Sequence, residues 1–84
     1  MKKGKILDTI LTAFDDETFL KIDGHDSAVI GVDLKSMKLI YSVSKIIENL
    51  KNDMSEFEAV EFYEFNIAGA HMGDLTPILC EDYF

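Results

Sequence analysis

Two histidines, one aspartate and the single cysteine of the chain have side chains that could together bind a metal ion. His25 and Asp26 precede a predicted hairpin, and His71 and Cys80 follow the last predicted helix. If the C-terminal strand pairs beside the hairpin, the two loops converge, and these four side chains are of the types that hold a structural zinc ion. No CxxC, HxxxH or HExxH spacing supports the site, so the prediction depends on the fold. A lone cysteine in a strand is otherwise a small buried apolar residue, and loop histidines are commonly solvated.

A catalytic use of the same side chains has little support in the sequence. Cys80 and His71 could form a nucleophile and its base, but no third orienting group and no oxyanion hole accompany them. The glycines of "GHDSAVIG" and "GAHMGD" do not form a phosphate-binding loop with its lysine. The sequence therefore predicts a binding protein and not an enzyme.

Acidic residues dominate the C-terminal third of the chain. Residues 1–52 contain eight lysines and eight acidic residues, whereas residues 53–84 contain eight acidic residues and no basic one, so the net charge of −8 lies there. Such a surface repels phosphate backbones, and the chain has no arginine to contact guanine edges. The charge pattern disfavours direct nucleic-acid binding and favours a basic protein surface as the partner. A solvated face that keeps a small protein soluble is the simpler alternative.

Length and composition predict a single domain, residues 1–84. Of the 84 residues, 48% are hydrophobic, including six Phe and three Tyr, which is enough for one core. One cysteine excludes an internal disulfide and fits a reducing compartment. The N-terminal lysines and the apolar residues after them are similar to a signal peptide, but Asp8 interrupts the apolar run and no stretch reaches membrane-spanning length. We therefore expect a cytoplasmic protein.

The apolar pattern predicts the elements that must position these residues. Helical spacing predicts a first helix over residues 5–14. Residues 29–32 and 37–41 have the composition of strands and flank a turn at "DLKS", which predicts a hairpin. The spacing becomes helical again in "SVSKIIENL", which predicts a second helix.

A third helix begins at the clearest local signal in the chain. Ser55 precedes Glu58 by three residues, as in a capping box, and predicts a helix that runs to about Ala68 and ends at Gly69. Pro77 then favours a final strand at a sheet edge, because proline lacks the ladder donor. The order predicts an α+β fold, in which the hairpin and the C-terminal strand form a small antiparallel sheet with about three helices packed on it.

The third helix has apolar residues on two sides. The stripe expected to face the core consists of Ala59, Val60, Tyr63 and Ile67. Phe62 and Phe65 fall on the other side, flanked by Glu58 and Glu61. This second side requires cover from the N-terminal helix, from a second copy in a homodimer, or from a partner protein. The predicted partner contacts are Glu56, Glu58, Glu61, Phe62, Glu64, Phe65, Asp74, Glu81 and Asp82.

Three segments of the chain resemble a family of small acidic proteins encoded in bacteriophage and prophage genomes. They read "DSAVIGVD", "LIYSVSKIIENL" and "MSEFEAVEFYEFNIAGAHMGDLTPIL". The resemblance covers residues 26–79, and "EFNIAGAHMGDLTPI" is its most specific part. It implies a phage accessory protein in the cytoplasm of the host cell and the element order given above, but no reaction.

Phage accessory proteins of this size and acidity include inhibitors of host defence, among them anti-CRISPR proteins. By this analogy, we expect a stoichiometric inhibitor whose acidic face blocks the basic nucleic-acid-binding surface of a nuclease, such as a Cas effector. One alternative is an oligomer that binds a small molecule or nucleotide as a signal sponge, with Lys35, Lys38 and Lys45 as phosphate ligands. The other is a structural phage protein without a ligand.

Overall fold

A computed structural model describes residues 4–69 and 73–82 of the chain. Within these residues the fold is α+β, as the sequence predicts, with three α-helices and one three-stranded sheet. In chain order the elements are α1 (Lys5–Ala13), β1 (Val29–Asp33), β2 (Lys38–Ser42), α2 (Val43–Leu50), α3 (Glu56–Tyr63) and β3 (Ile78–Cys80). A π-helical segment, Glu64–Ala68, continues α3, and two short 3-10 turns lie at Asp26–Ala28 and Gly73–Leu75. None of the helices in the described ranges has the length and apolar character needed to cross a bilayer.

The sheet has β2 at its centre and β3 at an edge. β1 and β2 form the predicted antiparallel hairpin, with Val32 opposite Leu39. β3 pairs on the other side of β2 and runs parallel to it, with Leu79 opposite Tyr41. The expectation of a wholly antiparallel sheet is therefore wrong, and the sheet is mixed. The reason is the connection, because α2 and α3 together form a crossover long enough to return the chain to the end of the sheet where β2 begins.

The hairpin turn is held by the side chain of Asp33. Its carboxylate accepts hydrogen bonds from the Ser36 backbone nitrogen at 3.0 Å and from the Ser36 hydroxyl at 2.5 Å, and these bonds lower the pKa of Asp33. Met37 has a φ of 55°, in the left-handed region that non-glycine residues seldom adopt. Met37 thus belongs to the turn, and the return strand begins at Lys38, one residue later than the sequence predicts.

The core joins α1, the sheet and the inner side of α3. Its buried members are Leu7, Ile10, Ala28, Val29, Leu39, Tyr41, Ile46, Tyr63 and Ile67. Tyr41 is fully buried, and its hydroxyl accepts a hydrogen bond of 2.8 Å from the backbone nitrogen of Ile22. This bond ties the irregular stretch after α1 to the central strand. Burial raises the pKa of the Tyr41 hydroxyl, which stays protonated.

The start of α2 is capped by side chains from two distant parts of the chain. The Ser42 hydroxyl accepts a hydrogen bond from the Lys45 backbone nitrogen at 3.1 Å, as an N-cap residue does. Ser42 also donates to the carboxylate of Asp82 at 2.6 Å, and the same carboxylate accepts from the Ser44 backbone nitrogen at 3.1 Å. Asp82 thereby attaches the segment after β3 to the first turn of α2.

The predicted start and end of the third helix are confirmed, but its last turns, after α3, are not α-helical. The capping box is confirmed: the Ser55 hydroxyl accepts from the Glu58 backbone nitrogen at 3.2 Å, and the Glu58 carboxylate accepts from the Ser55 backbone nitrogen at 3.0 Å. The helical conformation ends before Gly69, but its final turns are π-helical. The Asn66 side chain donates to the Phe62 carbonyl at 3.2 Å, a bond within these wider turns.

Candidate protein-interaction site

The outer side of α3 and its π-helical continuation carries aromatic and acidic side chains in alternation. We call this surface the acidic–aromatic face, and it consists of Phe57, Phe62 and Phe65 with Glu58, Glu61 and Glu64; Glu56, seven residues before the buried Tyr63, is exposed at the start of the helix but lies towards α2. The side chains of Phe57 and Phe65 are 71% and 80% exposed, and that of Phe62 is 42% exposed. Large apolar side chains this exposed on one helix form a contact surface without a partner in the described part of the chain.

Phe57 is the member of this face that sequence reasoning missed. It immediately follows the first helical residue, and it stands four residues before Glu61 and eight before Phe65. Residues with that spacing lie along one side of a helix. The helical periodicity of the sequence therefore contained the signal for Phe57.

Cover of this face by the N-terminal helix, one of the three alternatives, is wrong. α1 packs against β1 and the 3-10 turn before it, whereas α3 packs against α2. The inner side of α3 is the predicted stripe with one exception, because Val60 lies at its margin and is 38% exposed. The exposed fractions of Phe57 and Phe65 leave a second copy or a different protein to cover them.

An open groove of about 460 Å³ runs along the acidic–aromatic face. It lies between α3 and the loop that follows α2, and its lining residues are Asp53, Met54, Glu58, Glu61, Phe62, Phe65 and Asn66. Three carboxylates border an apolar floor of two aromatic rings and a thioether. Such a groove is suited to a side chain with an apolar stem and a cationic head, since the stem packs on the rings while the head meets the carboxylates.

The nearest described cation to this face is Lys51, at the end of α2. Its ammonium lies 3.9 Å from the Glu56 carboxylate and 3.6 Å from that of Glu48. All three side chains are exposed, so these ion pairs contribute little. Because residues 53–84 contain no basic residue, the face remains strongly negative.

The other three predicted partner contacts lie away from α3 in the chain. Asp74 is an exposed residue of the last 3-10 turn, and Glu81 is exposed just after β3. Burial raises the pKa of Tyr63, and the carboxylates of Glu81 and Glu64 raise it further. Asp74 and Glu81 thus add exposed negative charge outside the acidic–aromatic face.

Asp82 has a structural role in place of the predicted partner contact. Its carboxylate is engaged by Ser42 and Ser44 at the start of α2. Partial burial alone would raise the pKa of Asp82, but the hydrogen bonds from Ser42 and Ser44 outweigh it and hold the pKa below its usual value. These hydrogen bonds hold the carboxylate at the start of α2.

The described residues do not form the predicted metal site. Within residues 4–69 and 73–82, no group of three histidine, cysteine or acidic side chains comes close enough to hold an ion. His25 and Asp26 lie at the 3-10 turn before β1, and Cys80 is the last residue of β3. The fourth predicted ligand, His71, lies outside the described residues. His25, Asp26 and Cys80 therefore provide no three-ligand site by themselves.

His25 is instead a buried, neutral side chain. It is 8% exposed, and its Nδ1 atom has no hydrogen-bond partner in the described structure. Burial lowers the pKa of His25 below its usual 6.5 because a charged imidazole loses hydration there. A neutral ring with its proton on Nε2 places only a lone pair at Nδ1, which is the less costly arrangement to bury.

Acidification is expected to destabilise the chain through His25. The unfolded state binds a proton at the usual pKa of 6.5, whereas the folded state resists protonation, so the free energy of unfolding falls as the pH drops below about 6.5 towards the folded pKa. Urea denaturation of the wild type and His25→Phe between about pH 7.5 and 5.5 measures this effect. The wild type should lose more stability than the variant. His71→Gln, the control for the other histidine, should lose stability as the wild type does. Equal slopes of unfolding free energy against pH in the wild type and His25→Phe would contradict the prediction.

The three lysines proposed as phosphate ligands do not share a site with the groove. Lys35 is in the hairpin turn, Lys38 is the first residue of β2, and Lys45 is in the first turn of α2. None of them lines the groove along α3. The geometry therefore favours a basic protein over a phosphorylated ligand at this surface.

No family model, curated protein or solved structure matches the chain.

Proposed function

We propose that this chain is a protein-binding module whose acidic–aromatic face occupies a basic surface of another protein and thereby excludes nucleic acid from it. The observation that carries the proposal is the exposure of Phe57 and Phe65, two turns apart on the outer side of α3 and its π-helical continuation, with Glu58, Glu61 and Glu64 beside them. Aromatic side chains supply the buried anchor area of an interface, and the surrounding charges select the partner and accelerate association.

Charge complementarity favours a foreign basic protein over a second copy of this chain. Two copies joined through this face would bring two sets of glutamates together, and like charges brought together at an interface oppose association. A basic surface has the opposite effect, and the groove beside Phe62 and Phe65 offers both carboxylates and an apolar floor to a lysine or arginine side chain.

Basic surfaces of this kind are found where proteins hold nucleic acid. A small protein with eight acidic residues and no basic one in its last 32 residues can imitate the charge of a phosphate backbone. Together with the resemblance to phage accessory proteins, this supports a stoichiometric inhibitor of a host defence nuclease, of which Cas effectors are one class. No catalytic step is required.

The charge part of the proposal is tested with two synthetic helical peptides of equal positive charge. One has a leucine stripe opposite a lysine face, and the other has the same residues scrambled so that no apolar stripe forms. We expect the amphipathic peptide to bind more tightly and its binding to weaken as salt rises. The double variant Glu61→Lys and Glu64→Lys should bind the amphipathic peptide with an affinity reduced by about tenfold or more. Neither residue takes part in the capping box, so the helix remains intact.

Asp15→Lys with Asp16→Lys is the matched control for that charge reversal. Both residues are exposed in the turn after α1, and the pair changes the net charge by the same amount. Equal loss of affinity in the two double variants would show that only the overall charge matters, and would contradict a site on α3.

The inhibitory part is tested with purified Cas nucleases and a labelled DNA substrate. Stoichiometric addition of the chain should prevent DNA binding by at least one nuclease, and the Glu61 and Glu64 reversal should restore it. If the chain bound the peptide but inhibited none of the nucleases, the interaction site on α3 would stand and the proposed inhibitory function would be refuted.

A further inference from the structure

A second, more enclosed cavity lies at the end of the molecule where the π-helical segment meets β3. Its volume is about 170 Å³, and its apolar walls are Ile22, Ile67, Ala68, Pro77 and Leu79. Asn66 and Thr76 supply the polar atoms of the lining. The cavity shares Asn66 with the groove along the acidic–aromatic face, but its other lining residues are different.

Hydrogen-bonded structure holds three walls of this cavity in place. The backbone of Ile22 is held by the hydroxyl of the fully buried Tyr41. Leu79 is paired with Tyr41 in the sheet, and Ile67 is anchored in the core from the π-helical segment. These three walls are therefore held by the fold on different sides of the cavity.

Size and polarity indicate what this cavity can hold. An apolar cavity of about 150 Å³ is large enough to accept benzene, and this one has a similar volume although its lining residues Asn66 and Ala68 are solvent-exposed. Five of the seven lining residues are apolar, so the walls contact a ring mainly through apolar atoms. A charged or phosphorylated ligand is disfavoured, because no lysine lines the cavity to neutralise it.

We propose that this cavity is a binding site for a small apolar molecule of about one ring that carries a single hydrogen-bonding group. The apolar walls enclose the ring, and the Asn66 amide is the polar partner in the lining. Its nitrogen donates one hydrogen to the Phe62 carbonyl, and its carbonyl oxygen, the acceptor of the amide, is the atom that can accept from a ligand hydroxyl. A phenol is therefore bound more tightly than benzene.

The experiment is an NMR titration of methyl-labelled full-length protein with benzene and with phenol. We expect saturable shifts of the Ile67 and Leu79 methyl groups and tighter binding of phenol. Ala68→Leu, at an exposed residue that lines the cavity, should weaken binding of both compounds by about tenfold or more. Ala13→Leu makes the same change at an exposed position on α1 and should bind both compounds like the wild type.

A second variant guards against a folding defect in Ala68→Leu. Ile22→Phe fills the cavity from the opposite wall and keeps the backbone hydrogen bond to Tyr41. Shifts that are absent, that rise linearly without saturation, or that persist unchanged in both filled variants would overturn the proposal. Equal affinities for benzene and phenol would overturn the role of Asn66.

Discussion

Replacing Phe57 and Phe65 together with serine is expected to weaken binding of the cationic amphipathic peptide by about 100-fold. Aromatic anchors at the centre of an interface cost about 2 kcal/mol or more each when truncated, and such losses are not strictly additive. Both side chains are largely exposed in the free chain, so the free energy of unfolding should change by no more than about 0.5 kcal/mol. Calorimetric titration of the peptide and urea denaturation measure the two quantities.

Leu34→Ser is the control for this pair. Leu34 is 70% exposed in the hairpin turn, so its replacement removes exposed apolar area away from α3. Peptide affinity should not change. Phe62 is less suitable for the test, since it is only 42% exposed and its loss would affect folding as well as binding. If the Phe57 and Phe65 variant bound like the wild type, the face on α3 would not be the interaction site.

The second large effect is expected at Asp82, where replacement by alanine should lower the free energy of unfolding by about 1–3 kcal/mol. Ser42 is fully buried, and in the variant its hydroxyl loses the carboxylate acceptor and keeps only the Ser44 hydroxyl, 3.1 Å away, as an acceptor. The Ser44 backbone nitrogen loses its partner at the same time. Urea denaturation at neutral pH measures the change in unfolding free energy.

Glu81→Ala makes a comparable charge change at the neighbouring position. Glu81 is exposed, and its removal should change stability by no more than about 0.5 kcal/mol. The pKa of Asp82 in the folded chain lies below the usual 3.8, so its contribution is complete above about pH 4 and is lost as the pH falls through the folded pKa. Equal destabilisation by the two alanine variants would refute the capping role.

The features that the sequence predicted correctly are governed by neighbouring residues. The side chains of Ser55 and Glu58 each accept a hydrogen bond from the other residue's backbone nitrogen, so a serine three residues before a glutamate identifies the helix start. Pro77 indicated an edge strand because it lacks a donor, and β3 lies at the edge. The second apolar side of α3 was also visible, since periodicity alone places Phe65 opposite Tyr63 and Ile67.

The features that were missed depend on distant pairings or on fine backbone geometry. Asp82 reaches Ser42 across 40 positions, and nothing local distinguishes it from the exposed Glu81 beside it. The direction of β3 follows from the whole crossover and leaves no mark on its three residues. The left-handed backbone of Met37 was hidden by an apolar side chain that suits a strand. The cavity beside Ile67 is lined by the π-helical segment and by residues of two distant parts of the chain, for which the spacing of apolar residues gives no sign.

The parallel pairing of β3 has a consequence for the order in which the chain folds. The hairpin closes a turn of four residues between Asp33 and Lys38, whereas the pairing of β3 closes a loop that runs from Ser42 to Ile78 and contains α2 and α3. The entropy lost on closure grows with the length of the loop, and long-range pairing slows folding. We therefore expect the hairpin to form before β3 pairs with β2. The acidic–aromatic face lies in the segment between these two strands, so we expect its position against the sheet to be fixed only when β3 pairs.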